Sequence, residues 1–431
     1  MHEFRYRNNE LYCEGARVSE IAEKFGTPLY IYSRKTLLDH YRKIKRALRS
    51  INPLICFSVK ANSNLALLKV LANQGAGMDV VSGGELYKAL KVGVNPKKIV
   101  YAGVGKSEKE IAAAIRAGIL FFNAESFAEL ALIERVAGRL KKKANVSLRV
   151  NPDIDPHTHK FITTGKMTNK FGLDIKTCEE IFLRCGIIFS HLSLIGLHIH
   201  IGSQITDRLP FVKAIKKMLV LIKRLRQRGI SLKYFNIGGG LGIVYRDERP
   251  QSAEEFAQAV LPLLRATKLK IILEPGRFIA GNSGILLTRV VYIKKTPNKN
   301  FAIVDAGMND LIRPSLYNAY HEILPVVRNA QYAIPPYAKA SEGRRTTHYD
   351  IVGPICESAD FLAKNRPMPA LRAKDLLAVM GAGAYAFAMS SNYNSRPRAA
   401  EVLVNKKGRA LVRKRECYRD LIRQEIIPRN L

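Results

Sequence analysis

Short apolar runs alternate with amphipathic stretches along the first two-thirds of the chain, from about Leu29 to Arg277. Eight of the runs read as strands: Leu54–Val59, Met78–Val81, Ile99–Tyr101, Leu120–Phe122, Val146–Val150, Leu194–Ile201, Phe235–Ile237 and Ile271–Leu273. Between them, helical spacing of apolar positions marks Ser63–Asn73, Glu85–Val92, Lys106–Ala117, Ser126–Ala137 and Pro210–Gln227. Strand–helix units with near-continuous apolar strands predict a parallel sheet covered by helices. Eight units in about 250 residues fit a (β/α)8 TIM barrel better than an open doubly wound sheet, so the predicted class is α/β.

Beyond Arg277 the texture changes. Leu286–Lys294, Phe301–Val304, Tyr349–Val352, Asp375–Met380, Ala400–Val404 and Ala410–Arg413 read as short strands broken by Pro and Gly. The expected organisation is a barrel over residues 30–280 and a mostly β C-terminal domain over 281–431. Residues 1–29 are expected to complete the second domain with a strand and a helix. There is no solenoid-type repeat and no low-complexity linker.

Length and composition narrow the class further. A chain of 431 residues has room for two domains, and a hydrophobic fraction of 47% is ordinary for a globular protein. The apolar runs are too short to span a bilayer, and the start lacks a signal-peptide pattern, which argues for the cytoplasm. Six cysteines without a CxxC pair indicate neither zinc nor a disulfide framework, and no metal is expected. The net charge of +34 invites a nucleic-acid reading. The basic residues, however, are spread along amphipathic helices such as Lys213–Lys217, and no RNA-binding aromatic signature or helix-turn-helix signal is present. A solvated basic surface is the better account, with no nucleic-acid partner.

Candidate chemistry gathers where strands end. Lys60, in Phe57-Ser58-Val59-Lys60-Ala61-Asn62, closes an apolar strand, where shielding from water suits a Schiff-base amine; a mouth lysine paired with a carboxylate is the plainer alternative. Gly238-Gly239-Gly240 follows the seventh strand, where barrels commonly bind phosphate, although any glycine run can also be a tight turn. Its spacing does not match a dinucleotide fingerprint. Glu274, in Glu274-Pro275-Gly276-Arg277 after the eighth strand, suits a protonated pyridine nitrogen, or else a salt bridge to Arg277. His200 is a ring-stacking candidate beside Gly202 and Ser203, or a structural histidine. Cys356, in Cys356-Glu357-Ser358-Ala359-Asp360, is a candidate proton donor or an inert buried thiol. Together these describe a pyridoxal 5'-phosphate site.

The motifs FSVKAN, MDVVSGGEL, HTHKFITTGKMTNKFG, GLHIHIGSQ, GGGLG, EPGR, DAGMNDLIRPSLY, GPICESAD and GAGAYAFAMSSNYNSRPR occur in order between about Gly26 and Val404. In these the chain resembles the fold-type III pyridoxal phosphate decarboxylases, which share the alanine racemase barrel. The likeness is narrowest to the branch acting on meso-2,6-diaminopimelate. The resemblance implies a lyase that makes L-lysine and carbon dioxide, the last step of lysine biosynthesis. The alternative is a related decarboxylase of ornithine, arginine or carboxynorspermidine, against which Glu357 and the intact IRPSLY segment weigh. It also implies roles: Lys60 as the Schiff-base lysine, His200 against the cofactor ring, and Ser203, Gly238, Gly239, Gly240, Glu274, Pro275, Gly276 and Arg277 around phosphate and pyridine. Tyr385 would contact phosphate or substrate. Arg277, Arg313, Tyr317 and Glu357 would grip the far end of the substrate, and Cys356 would donate the proton. The Cys356–Glu357 loop would complete the site of a partner subunit in a homodimer.

Overall fold

The computed structural model describes residues 2–155, 164, 170–328 and 347–430. The chain divides into two compact units, one of residues 38–244 and 248–279, the other of residues 1–37, 245–247 and 280–431.

The first unit is a closed barrel of eight parallel strands. In chain order they are Leu54–Ser58, Gly77–Val80, Ile99–Tyr101, Phe121–Ala124, Ala144–Arg149, Leu192–His198, Tyr234–Asn236 and Lys270–Leu273. Every strand read from the sequence is present, with ends shifted by a few residues at most. The seam between the eighth and first strands is short, with Ile272 opposite Leu54 and Leu273 opposite Ile55. The helices begin where their sequences supply caps. Asn64 accepts from the Ala66 amide, Ser82 from Glu85 and Ser126 from Glu129. Ser107 with Glu110 and Ser252 with Glu255 form reciprocal capping boxes. The loops these caps close are shortest after the second and fourth strands, where the helices Gly83–Lys91 and Phe127–Arg139 follow almost at once, and much longer after the fifth, sixth and seventh.

A ladder of buried charge runs through one side of the barrel. Lys106 Nζ reaches Glu129 Oε1 at 2.5 Å and the carbonyls of Gly103 and Asn123 at 2.7 and 3.0 Å. The other Glu129 oxygen accepts from the Glu125 amide, and Glu125 pairs with Arg149 at 2.9 Å. The second Glu125 oxygen takes the Gly172 amide. All four side chains are buried.

The second unit holds two sheets. The larger runs in the order Phe361–Met368, Thr347–Val352, Asn300–Val304, Gly284–Lys295, Leu29–Ser33, Ala400–Asn405 and Gly408–Arg413. Leu376–Val379 pairs with the long Gly284–Lys295 strand and with Ile323–Pro325. Its core is built from Leu29, Ile31, Ile285, Leu287, Ala378, Val402 and Val404 together with Phe4, Leu11 and Ile21 from the N-terminal segment. That segment departs from the expected single strand. It forms three short strands, Phe4–Arg7, Glu10–Cys13 and Ala16–Arg17, before the helix Val18–Phe25. Asn8 and Asn9 at φ 46° and 64° make the first reversal, as consecutive positive-φ asparagines do in tight hairpins. Phe361–Met368 was not expected as a strand because it carries Pro367 and a left-handed Asn365, which the sheet absorbs as irregular register. Among the described residues no helix is long and apolar enough to cross a membrane.

Lys106→Met should leave Glu129 buried without its cation and destabilise the protein by about 3 kcal/mol. Chemical denaturation checks this, and adding Glu129→Gln should recover most of the loss.

Candidate active site

The C-terminal ends of the barrel strands carry a set of polar side chains inside an otherwise apolar lining. Glu274, the first residue past the eighth strand, is buried. Its Oε1 accepts from Asn236 Nδ2 at 2.6 Å and Asn123 Nδ2 at 3.2 Å, and its Oε2 lies 3.2 Å from His198 Nε2. Burial alone would raise its pKa. The His198 charge and hydrogen bond, with the charge of Lys60, override that and hold the carboxyl well below the usual range. Glu274 is therefore an anion inside the barrel. Its partners come from the fourth, sixth and seventh strands, not from Arg277.

Lys60 lies two residues past the first strand, on a single 3-10 turn, Val59–Ala61, and not on the strand itself. Its Nζ is 3.3 Å from Oδ2 of the fully buried Asp79, and its side chain keeps about a third of its surface exposed (35%). The structure pairs Lys60 with a carboxylate, as the plainer sequence reading has it, and leaves part of its side chain exposed. Burial pushes the Asp79 carboxyl up, and the nearby Glu274 charge adds to this, while Lys60 and Ser58 counter it. Ser58 Oγ sits 2.7 Å from Asp79 Oδ2 and 3.0 Å from the Glu274 carbonyl.

The glycine loop after the seventh strand owes its composition to close packing. A Cβ on Gly239 would lie 2.2 Å from the Glu274 carbonyl oxygen, and one on Gly238, at φ +71°, 2.4 Å from that of Ile199. The Gly238 amide is tied to Asn236 Oδ1 at 2.9 Å, and the Gly239 amide donates to His200 Nδ1 at 3.1 Å. That bond makes Nδ1 the acceptor. Burial first, then the Lys60 and Arg149 charges, hold the His200 pKa well below its ordinary value, so the ring is neutral. Among the described residues the amides of Gly240 and Gly276 have no hydrogen-bond partner. Beside them Arg277 Nε and Nη2 donate to Ser203 Oγ at 3.3 and 3.1 Å, leaving the hydroxyl proton to give. Pro275 and Gly276 form the turn between the Glu274 anion and Arg277, which opens the short helix Arg277–Ala280.

This set fits pyridoxal 5'-phosphate by its donors. Two amides, a hydroxyl and a guanidinium suit a phosphate, an anionic carboxylate suits a pyridinium, a neutral imidazole offers a flat face, and an amine suits an aldehyde.

The remaining sequence candidates belong to the second unit. Cys356 and Glu357 are exposed on a loop tied down by Asp360. That carboxylate accepts the amides of Met308 and Ile355, both at 2.6 Å. The Cys356 amide donates to Asn394, and Tyr393 O–H donates to Glu357. The inert buried alternative for Cys356 is thereby excluded. Arg313 is buried on the short helix Arg313–Tyr317, with Tyr317 half-buried at its end. Tyr385 holds a left-handed backbone, φ +55°, at a cost of about 1–2 kcal/mol for a residue with a side chain. Of the HTHKFITTGKMTNKFG stretch, only Thr164 and residues 170–172 are among those described.

Asp79, Asn123, His198 and Asn236 were not anticipated. Their signal was available: each is a charged or amide-type residue near the C-terminal end of an apolar barrel strand, where a polar side chain faces the mouth.

Comparison with known proteins gives one consistent result. A family profile described as pyridoxal-dependent decarboxylase, pyridoxal binding domain, matches residues 34–281. A diaminopimelate decarboxylase of Aquifex aeolicus is 49% identical over 96% of this chain and 95% of its own. A crystal structure of diaminopimelate decarboxylase from Helicobacter pylori, complexed with L-lysine, superposes with a TM-score of 0.87 at 42% identity, covering 94% of this chain and 98% of that one. A crystal structure of diaminopimelate decarboxylase from M. jannaschii, in co-complex with L-lysine, gives a TM-score of 0.92 at 36% identity over 100% of both chains.

Gly239→Ala should abolish pyridoxal phosphate binding, measured by equilibrium dialysis, because the two loops must part to admit the methyl. Glu85, which caps the amide of Val81 near Asp79 and Lys60, has its pKa pushed by burial to about 7. A carboxyl that titrates later in the folded state stabilises it most below its ordinary 4.5 and loses that contribution as pH rises to about 7. In Glu85→Gln the fall in melting temperature over that interval should be smaller than in wild type.

Proposed function

The chain belongs to the pyridoxal-dependent decarboxylases, and from that premise we infer that it converts meso-2,6-diaminopimelate to L-lysine and carbon dioxide, the last step of lysine biosynthesis. The observation that carries this reading is the grouping of Lys60, the Glu274 anion, neutral His200 and the glycine loop at one mouth of the barrel. Near full-length likeness to diaminopimelate decarboxylases supports it.

Lys60 Nζ is the amine that binds the cofactor, and Asp79 beside it takes and returns the proton that the amine must lose and regain. Gly240, Gly276, Ser203 and Arg277 hold the phosphate, with Gly238 and Gly239 shaping the loop that presents it. Glu274 holds a proton at the ring nitrogen, and its three donors keep it charged for that task. Bound there, pyridoxal 5'-phosphate supplies the electron sink for the bonding pair left when carbon dioxide departs. Cys356 Sγ gives a proton to the α-carbon and recovers one from solvent, so one proton is consumed for each carbon dioxide released. Tyr385 contacts phosphate or substrate.

Substrate choice rests on the distal end. Arg277 and Arg313 are both buried, and a buried guanidinium suits a carboxylate-bearing substrate better than a plain diamine. Glu357 receives the distal ammonium, and Tyr317 closes around it. Each site is completed across a homodimer by the Cys356–Glu357 loop, whose exposure on its own chain is what reaching a partner requires. The enzyme works in the cytoplasm.

A competition assay tests the reading. Holoenzyme given equal meso-diaminopimelate, ornithine, arginine and carboxynorspermidine should yield lysine alone by mass spectrometry; putrescine or a polyamine would overturn the distal-carboxylate argument. Lys60→Ala should lose essentially all turnover. Cys356→Ala should keep the bound cofactor's colour but fall by about 10²-fold or more in kcat, the usual worth of a placed proton donor; full activity there would refute the assignment.

A further inference from the structure

We propose that His321 is a positioning residue for substrate recognition: it fixes the Arg313 guanidinium in the orientation that receives the substrate's distal carboxylate. The proposal deepens the decarboxylase reading and rests on it.

His321 is fully buried, and its two ring nitrogens have different partners. Nδ1 lies 2.7 Å from the Met380 carbonyl oxygen, which can only accept, so Nδ1 carries a hydrogen. Nε2 lies 2.8 Å from Arg313 Nη1, which can only donate. Nε2 is therefore a lone-pair acceptor, and the ring is neutral in one defined tautomer. Its acceptor lone pair takes one tine of the guanidinium fork.

A second contact fixes the plane of that fork. Arg313 Cζ lies 4.7 Å from the centroid of the Tyr245 ring, and Tyr245 meets His321 edge-on at 5.2 Å and 75°. Tyr245 is itself backed by Gly381, whose φ of +66° and missing side chain admit the ring; a Cβ there would stand 3.1 Å from it. Both supports are uncharged. They orient the guanidinium in the plane and about its axis, and neither of them brings a negative charge of its own to it. An aspartate or glutamate in the place of His321 would hold the fork more tightly but would occupy the charge.

The sequence hides this residue. His321 follows the IRPSLY segment by four positions and looks like an ordinary histidine ahead of a short strand, Ile323–Pro325.

Holoenzymes of wild type, His321→Phe and His321→Asn decide the matter. Phenylalanine keeps the ring contact with Tyr245 and loses both hydrogen bonds; asparagine can donate to Met380 and accept from Arg313. In His321→Phe the KM for meso-diaminopimelate should rise about tenfold or more while kcat stays within about threefold. Inhibition by L-lysine, which keeps one carboxylate end of the substrate, should weaken by a similar factor. Inhibition by 1,5-diaminopentane, which has the same chain and no carboxylate, should not change. His321→Asn should restore KM to within about twofold of wild type. The visible absorption of bound cofactor and the melting temperature are followed in each, and His321→Leu replaces phenylalanine if that variant does not fold. An active wild type with unaltered KM and lysine inhibition in the substituted enzyme overturns the proposal alone. A wild type that leaves meso-diaminopimelate untouched overturns the decarboxylase reading and this proposal with it.

Discussion

Keeping a carboxylate ionised inside an apolar barrel costs several kcal/mol unless donors surround it. Glu274 meets that constraint with Asn123, His198 and Asn236, which arrive from three different strands. They converge only if the fourth, sixth, seventh and eighth strands share one register at the mouth. The same Asn236 that donates to the carboxylate accepts the Gly238 amide, so the anion and the glycine loop are set by one side chain. The loop is in turn pressed against the Glu274 carbonyl, with no room for a methyl group. Charge, loop and strand register thus depend on each other.

The buried ladder from Lys106 to Arg149 answers a related problem on the opposite kind of footing. There every charge has a counter-charge or backbone partner, and the result is a fixed scaffold. At Glu274 the donors are two amides and an imidazole, and at Arg313 an imidazole and a phenol ring. In both, a ring or an amide helps to fix the orientation of the charged group.

The barrel was legible because short apolar runs recur eight times with helical stretches between them, and all eight strands fall where the pattern puts them. The N-terminal hairpin was not, because four-residue strands such as Phe4–Arg7 carry too few positions to set a period. Phe361–Met368 was hidden by a proline that the sheet accommodates. Site residues in glycine or proline motifs were visible as local chemistry. Asp79, Asn123, His198 and Asn236 carried only the weak signal of a polar residue near a strand end, since each is defined by a partner 19 to 151 residues away; His321 lies eight residues from Arg313 but 59 from Met380, and only tertiary geometry joins the three.

Ser58 carries one proton and faces two acceptors, the Asp79 carboxyl and the Glu274 carbonyl. The second contact prolongs a barrel seam that the backbone closes with only two residue pairs. One hydroxyl thus touches both the carboxylate that pairs with Lys60 and the backbone just past the closing strand, so the ion pair at the mouth and the wall of the barrel share a side chain.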